Sequence, residues 1–153
     1  MKNKIIGIVQ ARMGSSRLKD KMLLNIGNYK LIEWVLKRLK KAKKLDKIIL
    51  ATTKNKEDDR LIKIARKNKI FTFRGSDTDV LNRFYNVNEV FKADIVVRIC
   101  ADNPFIDPYL IDSLIEKFKP DKYEYANNAY NFLNSNYPDG FGAEIFTRSI
   151  LKK

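Results

Sequence analysis

The sequence predicts a three-layer α/β/α sandwich built on a mainly parallel sheet. Short apolar runs rich in β-branched residues alternate along the chain with longer stretches whose apolar residues recur at helical spacing. No internal repeat or low-complexity linker interrupts that alternation. In such a sheet, ligands belong beyond the carboxyl ends of the strands, so the loops that follow the strands are the places to look for chemistry.

The elements follow in order. Residues 4–9 form the first strand, and a loop runs from there to about residue 28. A helix is expected over 31–44, where Leu31, Ile32, Val35, Leu36, Leu39 and Ala42 make an apolar stripe. Residues 47–53 read as the second strand. The helix after it, 55–68, carries Glu57, Asp58 and Asp59 in its first turn, where carboxylates suit the exposed N–H groups. A short third strand at 70–75 is closed by Gly75. Asp77, Thr78 and Asp79 are candidate caps for the next helix, which directs Val80, Phe84, Val87 and Phe91 toward a core. The fourth strand is 94–101, and Pro108 opens another helix. Residues 123–146 are rich in Asn, Tyr and Gly, lack helical periodicity and end in a strand-like Ala-Glu-Ile-Phe.

Composition narrows the chemistry. The chain has 153 residues, one ordinary domain's worth, with 44% hydrophobic and 32% charged residues. No apolar stretch approaches the roughly 20 residues that span a bilayer, and the run after the basic N-terminus is too short for a signal peptide, so a cytoplasmic location is expected. With one cysteine and no histidine, an internal disulfide, a Cys/His zinc cluster and a histidine-based triad are excluded. A metal must be held by oxygen, which points to Mg²⁺ or a similar hard cation. The net charge of +13 raises a nucleic-acid partner, but much of the excess sits on the outer faces of the helices at 31–44 and 55–68, without interleaved aromatics. Solvated helix faces account for it better.

Two strand-end loops carry candidate site residues. After the first strand, "QARMGSSRLKDK" places two arginines and two lysines around a Gly-Ser-Ser turn. It is neither a Walker loop nor a dinucleotide fingerprint. Gly14, Ser15 and Ser16 offer backbone N–H groups and hydroxyls to a phosphate, Arg12 a bidentate fork and Lys21 a point charge. A surface turn with incidental cations is the plainer alternative. After the fourth strand, "RICADNP" sets Asp102 just past an apolar strand that contains Arg98. Asp102 is either a Mg²⁺ ligand for a phosphate-bearing substrate or the first residue of an Asx turn before Pro104. Cys100, with no histidine to activate it, reads as a small packing residue.

Taken in order, "IIGIVQARMGSSRLKDKML", "KIILATTKNKEDDRLI", "FRGSDTDVLNRFY", "DIVVRICADNPFIDP" and "YPDGFGAEIF" resemble the cytidylyltransferase family of the spore coat polysaccharide biosynthesis type, related to the sialic acid and deoxy-octulosonate cytidylyltransferases. The resemblance runs from about residue 4 to 146. It implies a nucleotide-diphospho-sugar transferase fold and transfer of a cytidylyl group from CTP to a sugar acceptor, with pyrophosphate released and Mg²⁺ as cofactor. Carried over residue by residue, Arg12, Ser15, Arg17 and Lys21 match the loop that holds the triphosphate, and the backbone at Gln10 and Ala11 lies near the base. Gly75, Ser76, Asp79 and Arg83 match a segment that shapes the nucleotide pocket, with Arg98 beside it. Asp102 matches the metal-binding carboxylate, Glu144 matches an acidic residue of the late strand that faces the sugar or a second metal position, and Asp139 of the same motif is a further substrate residue.

The chain departs from the family pattern in three places. Lys19-Asp20 stand where Pro-Gly is usual, Ala101 where Gly is usual, and Gly142 where Asp is common. Members of the family usually continue well past the late motif. The expectation is therefore a single nucleotidyltransferase domain over 1–153 lacking the C-terminal part usual in the family, which often supplies homodimer contacts. A nucleotide-binding remnant without catalysis and a basic nucleic-acid-binding domain are the rival readings.

Overall fold

The apolar runs pair as anticipated, and the computed structural model describes residues 3–14, 18–128 and 140–152. β1 (Ile5–Gln10) is flanked in parallel by β4 (Lys47–Thr53) on one side and β6 (Ile95–Cys100) on the other, with β5 (Phe71–Gly75) outside β4. β8 (Glu144–Thr147) runs antiparallel to β6, and β7 (Tyr125–Asn127) closes the edge, giving the order β5-β4-β1-β6-β8-β7. The chain steps outward from β1 in one direction and returns to the other side of β1 at β6. Loops after β1 and β6 therefore flank a topological switch point, where open α/β sheets bind ligands.

Side-chain alternation assigns the layers. Val9, Leu50, Val97, Ile99 and Ile145 face α1 (Leu31–Leu39), α2 (Asp59–Lys67) and α4 (Pro108–Lys117). Ile6, Ile8, Ile49, Ala51, Val96 and Phe146 face α3 (Val80–Phe91) through Phe84 and Val87. Asp79 is the cap of α3, accepting from the Asn82 N–H at 2.8 Å, and Asp107 caps α4 through the amides of Tyr109 and Leu110. Among the described residues no helix is long and apolar enough to cross a membrane.

Two local features differ from the sequence expectation. The helix expected over 31–44 stops at Leu39, because Asp112 of α4 accepts from the backbone amides of Lys43 and Lys44 at 2.9 Å each, and Asp46 accepts from Ile5 N–H at 2.7 Å. Those carboxylates draw the chain into a turn that feeds β4, and the helical stripe is interrupted in favour of it. The loop before α1 contains a small hairpin, β2 (Asn25–Ile26) with β3 (Tyr29–Lys30), whose Gly27 has φ +59°.

Two buried charged side chains lock the strand-end loops onto the sheet. Asp58 is fully buried, and its carboxylate accepts from Met13 N–H (2.7 Å), Thr52 Oγ1 (2.8 Å), Thr53 N–H (3.0 Å) and Thr53 Oγ1 (2.5 Å). It thus pins the loop after β1 to the end of β4. Burial pushes its pKa up, but the donated hydrogen bonds outweigh burial and hold the carboxyl below its ordinary range. Arg83, also fully buried, donates from Nη1 to the Ser76 carbonyl at 2.8 Å and lies directly under Gly75.

These contacts predict two stability changes. A Cβ on Gly75 would stand 2.9 Å from Arg83 Cγ and 3.1 Å from the Phe73 ring, with Arg83 unable to swing away, so Gly75→Ala lowers stability by about 1–3 kcal/mol in urea unfolding. Asp58→Asn replaces one accepting oxygen with an NH2 group, a donor facing donors, and costs about 1–3 kcal/mol at neutral pH. Because the folded carboxyl titrates below its unfolded value of about 3.9, its contribution is present above that pH and is lost as pH falls through the folded pKa. The stability gap between parent and Asp58→Asn, followed by unfolding at decreasing pH, narrows accordingly.

Candidate functional site

Four loops meet above the carboxyl ends of β1, β4, β5 and β6. The loop after β1 begins with Ala11, whose buried amide continues the sheet by donating to the Ala51 carbonyl at 3.2 Å. Arg12 then points outward and pairs with Asp77 of the loop after β5, Nη1 to Oδ1 at 3.2 Å. The other oxygen of Asp77 accepts from Asn55 Nδ2 at 3.1 Å, so one carboxylate joins three loops. Gly14 is exposed, while Ser15, Ser16 and Arg17 lie outside the described residues, as does Asp139.

Lys21 opens a short 3₁₀ turn and donates from Nζ to Asp102 Oδ2 at 2.7 Å across the switch point. The lysine of the loop after β1 and the carboxylate at the end of β6, far apart in sequence, are thus in contact. The residue before Lys21 is informative. Asp20, in the place of the family's usual glycine, adopts φ +54°, the left-handed conformation that glycine takes most easily. Aspartate is among the few other residues that visit it, and its carboxylate is anchored by Arg60 Nη2 at 2.8 Å. The turn that presents Lys21 therefore keeps a left-handed residue without Pro-Gly.

Gly75 and Ser76 shape the rim of the loop after β5: Ser76 Oγ accepts from the Asp79 amide at 3.0 Å and its carbonyl from Arg83. Arg83 thus holds that loop from below and is not presented at its surface, while Asp79 stays exposed and is used as the cap of α3. Burial and the nearby Arg12 charge both lower the Arg83 pKa, and its Nε has no hydrogen-bond partner among the described residues.

A second group forms on the α3 face of the sheet. Arg98 and Glu144 are paired in register on β6 and β8, with Nη1 and Oε1 at 2.5 Å, and Arg98 Nε approaches Gln10 Oε1 at 3.3 Å. Burial lowers the Arg98 pKa, but the Glu144 contact more than restores it and the guanidinium stays charged. The pair lies in a cleft of about 470 Å³ walled by Val80, Leu81, Phe84 and Phe146. Gln10 and Arg98 are therefore joined to Glu144 and not to the cations of the loop after β1. Burial raises the Cys100 thiol pKa, in keeping with a packing role.

The residues missed by sequence reasoning are acidic: Asp58, Asp77 and Asp20. Asp58 was visible only as one of three carboxylates suited to a helix start, and Asp77 only as one of three caps. The two threonines ending β4 were the signal for Asp58, since buried hydroxyls and strand-end amides need an acceptor. For Asp77 no local signal existed, because its partners Arg12 and Asn55 come from distant loops.

The described residues contain no cluster of three acidic, Cys or His side chains arranged as a metal cage. What they offer is Asp102, an exposed oxygen donor at the switch point. One carboxylate completed by substrate phosphates is a common Mg²⁺ arrangement, so the donor chemistry fits that ion.

Comparison with known proteins agrees with this architecture. The profile of the cytidylyltransferase family matches residues 6–151. The chain is 43% identical over 150 residues to an uncharacterized protein of Methanocaldococcus jannaschii, covering 98% of this chain and 59% of that one. It is 37% identical to the spore coat polysaccharide biosynthesis protein SpsF of Bacillus subtilis, covering 97% of this chain and 61% of that one. The structure of a cytidylyltransferase from Leptospira borgpetersenii superposes with a TM-score of 0.91 at 33% identity, covering 99% of this chain and 63% of that one. The chain thus spans about three fifths of these relatives. With the profile running along nearly all of it, the chain belongs to the cytidylyltransferase family.

Proposed function

We propose that the protein transfers a cytidylyl group from CTP to a sugar acceptor, releasing pyrophosphate, in the synthesis of surface polysaccharide or a related glycan. The observation that carries this reading is the meeting of Lys21 with Asp102 across the switch point, within a chain of cytidylyltransferase ancestry. A lysine fit for the leaving phosphates and a carboxylate fit for a hard cation stand side by side where α/β sheets bind nucleotides.

In the proposed reaction a sugar oxygen attacks the α-phosphorus in line, a new P–O bond forms, and the bond to the β-phosphate breaks to release pyrophosphate. The protein's part is positioning and charge neutralisation. Arg12 and Lys21 hold the β- and γ-phosphates and stabilise the charge that grows on them. Asp102 would hold Mg²⁺, which when bound supplies charge neutralisation near the α-phosphate. An incoming triphosphate competes with Asp102 for Lys21, and the carboxylate so released is the one that would hold the metal. The Arg98–Glu144 pair, set in an apolar-walled cleft, presents both a cation and an anion to the acceptor. Gln10 fixes the guanidinium that faces it.

Pyrophosphate release across a panel of acidic and amino sugars, with CTP and Mg²⁺, tests the proposal. ATP and single-stranded RNA serve as controls, and the released pyrophosphate is expected with CTP only. Arg12→Ala lowers turnover by about 10²-fold, the scale for removing one preorganised donor to a developing anion. CTP binding without release for any acceptor would leave a nucleotide-binding protein in place of a transferase. Steeply salt-dependent RNA binding with no nucleotide preference would overturn both.

A further inference from the structure

The side chain that governs the resting charge of the phosphate loop is Asp77. It belongs to the loop after β5, yet one of its oxygens holds Arg12 Nη1 at 3.2 Å and the other holds Asn55 Nδ2 at 3.1 Å. Beneath it lies the buried Arg83, whose guanidinium interacts electrostatically with both Arg12 and Asp77. One arginine and one amide thus hold a single carboxylate at the rim of the site, with the positive charge of a second arginine buried nearby. That is an anion-binding arrangement, and in the resting protein the anion is one of the chain's own side chains.

We infer that Asp77 is a positioning residue that acts as a built-in substitute anion, holding Arg12 in register over the site and yielding it to the triphosphate of the incoming nucleotide. Arg12 feels the like charge of Arg83, which Asp58 and Asp77 both offset, and of these two carboxylates Asp77 is the one paired with Arg12. The pairing keeps the guanidinium at the rim until a stronger anion takes it. The pair is half-exposed, with side-chain exposures of 55% for Arg12 and 42% for Asp77, so its strength is modest and a triphosphate competes for Arg12 effectively. The exchange sets a threshold: a ligand must carry enough negative charge to outbid one carboxylate. Polyphosphorylated nucleotides meet it and monophosphates do so poorly. This inference rests on the phosphate-binding role proposed above for Arg12.

The test is calorimetric binding of inorganic tripolyphosphate and of CTP at low ionic strength to the parent, Asp77→Asn, Asp77→Glu, Arg12→Ala and the Arg12→Ala/Asp77→Asn double variant. Asp77→Asn is expected to bind both ligands about two- to five-fold tighter, the worth of releasing one exposed ion pair, and to narrow the preference for triphosphate over CMP. Asp77→Glu, which keeps the charge, is expected to resemble the parent. In the Arg12→Ala background, Asp77→Asn should make no difference. A residue with a merely structural role would weaken binding when replaced, so unchanged or weaker binding by Asp77→Asn with an unaltered melting temperature would overturn the inference. A gain that persists without Arg12 would also overturn it, because net charge alone would then be responsible. A parent that binds neither ligand would overturn this inference together with the proposed function, whereas parent binding with an inert Asp77 would overturn the inference alone.

Discussion

The hydrogen bonds that converge on the buried carboxylate of Asp58 are the constraint on which the rest of this site depends. Four donors from two separate segments, the Met13 amide and the amide and hydroxyls of Thr52 and Thr53, end on one charged group excluded from water. A buried charge of this kind is tolerable only when every lone pair is used, and here the use is architectural. The loop after β1 cannot move away from β4 without leaving a charge unpaired in the interior. Arg12, one residue before Met13, takes its starting direction from that anchor. The same logic recurs below the loop after β5, where Arg83 is buried to hold the Ser76 carbonyl. Two buried charges of opposite sign therefore underlie two loops that meet at Arg12 and Asp77.

Above this foundation, cations and carboxylates are matched in a way a bulk charge of +13 does not suggest. Arg12 is held by Asp77, Lys21 by Asp102 and Arg60 by Asp20. Two of these contacts link different loops and the third ties a loop to α2, so electrostatic attraction does the work of ordering segments that have little apolar surface of their own. Exposed pairs contribute little to stability singly. Their value here is that they fix flexible side chains over the switch point while remaining exchangeable. The excess of lysine and arginine, by contrast, is spread over the turn that follows α1, at Lys40 and Lys41, and the outer face of α2, at Lys63, Arg66 and Lys67.

The sheet and its helices were legible because their signals are periodic and local. β4 begins and ends where the apolar run does, Asp79 of the three candidate caps is the one that caps α3, and Pro108 opens α4 as its position announced. Helix α1 shows where that legibility stops: its stripe continues to Ala42, but the chain turns after Leu39 because Asp112, distant in sequence, captures the amides of Lys43 and Lys44. The site was half legible for the same reason. The cations announced themselves by clustering within one loop, whereas the acids that position them are scattered singly through loops and helix starts, where each has an everyday explanation. Pairing across the sheet edge is what gives them meaning, and a linear pattern does not carry it.

Asp20 shows how a backbone requirement outlasts the residue type that usually meets it. The turn before Lys21 asks for one residue with positive φ, and aspartate meets that demand at φ +54° while Arg60 holds its side chain. Glycine at this place would be free in both the folded and unfolded chain. Aspartate trades that freedom for a tether to α2, so the presentation of Lys21 becomes mechanically linked to the helix that starts beside Asp58. A motif written as letters would score this position as a loss. Written as torsion angles, it is a substitution that keeps the turn and stiffens its mounting.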